Sequence, residues 1–83
     1  MKTEEKIIDL YKEILTLDQV GPDESFFVLG GNSLQALRLM NETNQLFNTS
    51  IKLHEIFRHS SPNQLCQLID TKRLRDDDII MEI

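Results

Sequence analysis

Ser33 is the side chain best placed to do chemistry in this 83-residue chain, because Gly30, Gly31 and Asn32 deliver its hydroxyl to the start of an apolar helical period. Two glycines strip side chains from the approach, so that a second macromolecule can reach the backbone there. The residue types alone leave two readings open. Ser33 either presents its hydroxyl to another protein or serves as an N-cap, to which serine is well suited because its oxygen accepts an orphan amide. A self-activated nucleophile fits less well, since no His or Lys stands beside it in sequence and no strand carries it as in a G-x-S-x-G elbow.

The other reactive types offer less. His54 and His59 lie five apart with no third ligand near them in sequence, so no metal is expected. Cys66 is the single cysteine, has no C-x-x-C partner and reads as a small packed hydrophobe. Asp18, Asp23 and Glu24 are read as solvated loop charges, because so short a chain offers no pocket to desolvate them for acid-base work. No catalytic residue is expected, and a stand-alone enzyme has almost no support.

Composition narrows the classes further. Nine Lys and Arg against 14 Asp and Glu leave a formal charge of −5, the wrong sign for nucleic acid. The longest apolar runs, Phe26 to Leu29 and Ile79 to Met81, fall far short of the ~20 residues that span a bilayer. Hydrophobic residues at 40% allow a small core. One cysteine and no charged start leading into an apolar stretch fit a reducing, cytoplasmic setting.

Helices must position the serine. Ile7, Ile8, Tyr11, Ile14 and Leu15 recur at helical spacing, with Thr3 as a candidate cap and Glu4 and Glu5 on the positive end of the dipole. Residues 18–32 hold all three glycines and no helical period, so they read as a long ordered loop anchored by Phe26 and Leu29. From Ser33 to Phe47, Ala36, Leu39, Met40, Thr43, Leu46 and Phe47 gather within about 120° of arc as a core stripe. Leu34, Leu37, Arg38 and Asn41 fall opposite, a candidate partner patch. Asn48 can end that helix in a left-handed cap. Residues 53–58 make a short third helix, and Ser61-Pro62-Asn63-Gln64 is a complete capping box that opens a fourth. Asp76, Asp77 and Asp78 oppose the dipole of that helix, so it is expected to end there and release an acidic flexible tail.

With these residues in view, Glu24-Ser25-Phe26-Phe27-Val28-Leu29-Gly30-Gly31-Asn32-Ser33-Leu34 resembles the phosphopantetheine attachment signature of carrier proteins. Its form is similar to that of the peptidyl carrier (thiolation) domains of nonribosomal peptide synthetases. The order of the first helix, long loop, Leu53-His54-Glu55-Ile56-Phe57 and the Ser-Pro opening carries the resemblance over roughly residues 5 to 71. It implies an all-α four-helix bundle of the acyl carrier protein type, with a short third helix and a long loop between helices one and two. A carrier domain over 1–75 and a tail over 76–83 are expected.

The resemblance further implies that a phosphopantetheinyl transferase attaches 4′-phosphopantetheine to Ser33, with Gly30, Gly31 and Asn32 forming the approach. The domain would be a non-catalytic carrier of aminoacyl or peptidyl thioesters, and it is expected to be monomeric in isolation. Adenylation and condensation domains would grip Leu34, Leu37 and Arg38, with Phe57 and Arg58 adding to that face. Asn32 departs from the Asp or His more usual before the serine, keeping a polar cap without a charge. The tail, Asp76, Asp77, Asp78, Ile79, Ile80, Met81, Glu82 and Ile83, lies outside the resemblance; it is expected either to dock to the docking domain of a downstream synthetase subunit, adding as a β-strand to a basic edge, or to be an inert flexible end. Two alternatives stand beside this reading: an acyl or polyketide carrier, and a helical interaction module in which Ser33 only caps a helix.

Overall fold

In the computed structural model the described residues are 2–82, with side chains described over 3–72. Four helices follow in order: α1 (Lys2–Leu15), α2 (Ser33–Phe47), α3 (Leu53–Arg58) and α4 (Pro62–Glu82). All regular structure among the described residues is helical, α3 is the short one, and the long connection lies between α1 and α2, as the pattern predicts. Helix α1 packs on both α2 and α4, and α2 also meets α3.

The helical period dictates that packing. Ile7, Leu10, Tyr11 and Ile14 form the buried face of α1 and meet Leu65, Leu68 and Ile69 of α4 and Ala36 and Leu39 of α2 in one core. Ile56 of α3 and Ile51 before it close the other side. The predicted α2 stripe holds for Ala36, Leu39 and Thr43, and Met40 and Phe47 pack partly against the core. Leu46 does not follow it. It lies near the end of the stripe and stays 46% exposed, only partly covered by the described residues.

Helix ends are set by named caps. Helix α1 begins at Lys2, so Thr3 sits within the first turn and is not its cap; Glu4 and Glu5 do occupy that turn. At the other end Thr16 takes a left-handed φ of 56°, and the Leu17 N–H reaches back to the Lys12 carbonyl at 3.0 Å. Asn48 ends α2 in the left-handed region, with φ 57°. The Ser61 hydroxyl accepts the Gln64 N–H at 3.2 Å and the Gln64 side chain accepts the Ser61 N–H at 3.3 Å, with Pro62 at the first helical position.

The expected break at Asp76 is corrected, because the backbone of α4 runs on to Glu82. Lys72, Arg73 and Arg75 precede the three aspartates by three or four positions, the spacing at which opposite charges support a helix and offset the dipole penalty. The side chains from 73 onward, including the whole proposed docking segment, lie outside the described residues.

Candidate functional site

The loop before α2 is built on a buried aromatic and a single carbonyl. Phe26 is fully buried, with its ring edge-on to Tyr11 at 5.1 Å. The Phe26 N–H donates to the Ser60 carbonyl at 2.8 Å, and the Tyr11 hydroxyl donates to the same oxygen at 2.6 Å. The Ser25 and Ser60 hydroxyls lie 3.0 Å apart as a further bond. Burial pushes the Tyr11 phenol well above its ordinary range, so it stays a donor at any pH the fold meets. Leu29 adds partial cover, as expected of the second anchor. The carboxylates fasten the loop and do not converge: Glu24 accepts the Gly21 N–H at 2.6 Å, and Asp23 accepts from the Asn63 side chain at 3.4 Å.

Each glycine before the serine has its own reason. The Gly31 N–H donates to the Phe26 carbonyl at 2.9 Å, and a β-carbon on Gly31 would overlap the Phe26 ring and lie 2.8 Å from that carbonyl oxygen. Only a hydrogen fits. Gly30 faces open space, but its φ of 108° is one that L side chains rarely adopt.

The chain then enters α2 through Asn32, whose extended backbone makes it the N-cap. Its side-chain oxygen accepts the Gln35 N–H at 2.8 Å, and the Gln35 side chain accepts the Asn32 N–H at 3.0 Å, a reciprocal capping box. Ser33 is therefore the first helical residue. Its side chain is exposed, and among the described residues no hydrogen bond engages its hydroxyl. The reading of Ser33 as a helix cap is thus overturned: Asn32 does that work and leaves the hydroxyl free.

The electrostatics around that hydroxyl suit an anion. No acidic residue stands in the first turn of α2. The amides of Ser33 and Leu34, at the first two helical positions, have no intrahelical acceptor and point along the positive end of the dipole. A phosphodiester on the Ser33 oxygen would meet free donors and no carboxylate of the first turn of α2.

The outer face of α2 is apolar where the sequence places the partner patch. Leu34 is 76% and Leu37 39% exposed, and with Arg38 and Asn41 they line one open groove. Arg38 pairs with Glu42 one turn on and lies 3.6 Å from Glu13 of α1. Phe57, half exposed on α3, stacks on Phe27 with centroids 4.8 Å apart and planes within 11°. That stack ties α3 to the loop before Ser33, and Arg58 beside Phe57 is exposed. Val28, 85% exposed in the loop before Ser33, is a further exposed apolar side chain that sequence spacing does not single out.

The remaining candidates lie apart. His54 is exposed, and His59 caps α3 through its N–H to the Glu55 carbonyl at 2.9 Å. Among the described residues no three His, Cys, Asp or Glu side chains converge as a metal would require. Cys66 is half-buried on α4, and burial, with the Asp70 and Glu4 carboxylates, pushes its thiol up. Gln35 is the functional residue that sequence reasoning misses, although Asn32-x-x-Gln35 has the same capping-box spacing as Ser61-x-x-Gln64.

The family model for "Phosphopantetheine attachment site" matches residues 5–69. A linear gramicidin synthase of Brevibacillus parabrevis is 36% identical over 70 residues, covering 84% of this chain and 1% of that protein. The structure of McyG A-PCP complexed with phenylalanyl-adenylate superposes with a TM-score of 0.81 at 33% identity, over 83% of this chain and 11% of that one. A non-covalent extended docking domain complex of the Pax NRPS, PaxA T1-CDD with PaxB NDD, gives a TM-score of 0.82 at 32% identity, over 96% of this chain and 83% of that one. This chain spans about one hundredth of the curated relative's length. Among the described residues no helix is long and apolar enough to cross a membrane.

Proposed function

The chain belongs to the phosphopantetheine attachment site family, and from that premise we propose that it is a peptidyl carrier domain whose attachment point is Ser33. One observation carries the choice of residue: at the matched motif the hydroxyl is exposed, unengaged and set on the first turn of α2, while Asn32 takes over the cap. When attached, the 4′-phosphopantetheine arm supplies a thiol that holds an aminoacyl or peptidyl group as a thioester. The protein's own residues present the serine, accept the phosphodiester charge at the helix end and offer an apolar face to partners. Tethering keeps the cargo at a high effective concentration near each partner.

Leu34, Leu37 and Arg38, with Phe57, Arg58 and Val28, are proposed to meet the transferase and the adenylation and condensation domains in turn. The likeness to the Pax docking complex supports a docking role for residues 76–83, and the helical backbone to Glu82 favours a helix as the docking element in place of the expected strand. Grafting residues 73–83 onto an unrelated carrier tests this, and a graft with no gain in affinity for a downstream subunit would refute it.

The attachment itself is tested by intact mass after incubation with coenzyme A and a broad-specificity phosphopantetheinyl transferase. The parent gains one phosphopantetheine and Ser33→Ala gains none. A folded parent that gains nothing would return the helical interaction module to favour.

A further inference from the structure

The Gln35 side chain makes contacts in two directions. Its Oε1 accepts the Asn32 N–H at 3.0 Å, and its Nε2 donates to the Ile14 carbonyl of α1 at 3.4 Å. Its own backbone N–H meanwhile donates to the Asn32 side chain at 2.8 Å. Ile14 lies in the last turn of α1, where carbonyls lack an intrahelical donor. The Leu17 N–H, which closes that end, goes to Lys12 and leaves Ile14 to be satisfied from outside. One neutral amide therefore joins the turn that presents Ser33 to the end of the neighbouring helix. A carboxylate at this position would keep the acceptor but turn an oxygen toward the Ile14 carbonyl, and an ammonium would keep the donor but lose the acceptor for the Asn32 N–H.

We infer that Gln35 is a positioning residue for Ser33: its amide locks the Asn32-Ser33 turn to α1 and so sets the rate at which the serine is modified. The inference rests on Ser33 being the attachment serine. Arg38, whose exposed contact to Glu13 lies one turn further along the same two helices, is screened by solvent and is a weaker tie. The lock acts at the turn itself.

Three variants separate the two contacts. Gln35→Met removes both at nearly constant volume, Gln35→Glu keeps the cap alone, and Gln35→Lys keeps only a donor toward α1. Two readouts are taken on each: amide hydrogen exchange at the hydrogen-bonded amides of the turn, Asn32, Gln35 and Ala36, in the unmodified protein, and kcat and KM for phosphopantetheine transfer from coenzyme A, well below the unfolding temperature. The expected result for Gln35→Met is exchange about tenfold faster at those amides, with core amides of α4 unchanged, and a severalfold fall in kcat at constant KM for coenzyme A. Gln35→Glu and Gln35→Lys should each recover part of the loss. Unchanged exchange or unchanged kcat in Gln35→Met, whatever its melting temperature, would overturn the inference. Failure of the attachment reading is visible separately, as a parent protein that gains no phosphopantetheine while the exchange readout still reports on the lock.

Discussion

At the residue scale the site depends on what is missing from side chains as much as on what is present. Gly31 has no room for a β-carbon against Phe26, so Gly31→Ala should destabilise the protein by about 2 kcal/mol, the usual cost of overpacking. Chemical denaturation read by far-ultraviolet circular dichroism measures it. Thr43 gives the opposite case: it is fully buried in α2, and among the described residues its hydroxyl has no hydrogen-bond partner. Replacing it with the isosteric valine removes that desolvation penalty, and Thr43→Val should stabilise by about 1 kcal/mol. Cys66 bears on every thiol assay. With its thiol pushed up by burial and by Asp70 and Glu4, it should react with an alkylating reagent at pH 7 far more slowly than free cysteine. The unmodified protein should then show almost no fast thiol and the phosphopantetheinylated protein one.

At the element scale, helix ends are legible in the sequence where their signals are local and obscure where the partners are distant. The Ser61 to Gln64 box and the Asn48 cap can be read because each is complete within four residues and uses one side-chain oxygen or one left-handed residue. The same rule applied at Asn32 and Gln35 moves the cap off Ser33, but the glycine pair beside it is the louder signal and points to the serine. The Phe27 to Phe57 stack joins residues 30 positions apart, and nothing in the spacing of either announces it. Leu46 follows the helical period yet stays exposed, because periodicity states which residues share a face and not whether anything lies over that face. The dipole cost of the three aspartates predicts a helix end only while the basic residues one turn earlier are left out. Thr16 shows a residue placed against its propensity. A β-branched side chain sits in the left-handed region at the end of α1, exposed, so Thr16→Gly should relieve about 1 kcal/mol of strain, measured as a rise in the denaturation midpoint.

At the scale of the whole molecule, a charge pair between α3 and α4, added to the apolar packing of α4, makes stability depend on pH. Lys72 of α4 meets Glu55 of α3 at 3.0 Å, both side chains being about one-fifth exposed. Burial pushes the Glu55 carboxyl up, but the Lys52 N–H and the Lys72 ammonium outweigh it and hold the group below its ordinary value of 4.5. A carboxylate lowered in the folded state contributes stability above its unfolded value and loses it as pH falls through the folded value. Melting temperature should therefore fall as the solution is acidified below about pH 4.5, and Glu55→Gln should flatten that part of the profile.

On the proposed reading, the whole bundle holds one thioester at one serine, Ser33. The most direct measurement gives the transferase acetyl-coenzyme A in place of coenzyme A and follows the product by intact mass and by fragmentation. One acetyl-phosphopantetheine is expected, located on Ser33 among Ser25, Ser33, Ser50, Ser60 and Ser61, with neutral hydroxylamine removing the acetyl group and leaving the arm. An adduct on any other serine, or no adduct on the folded protein, would contradict it.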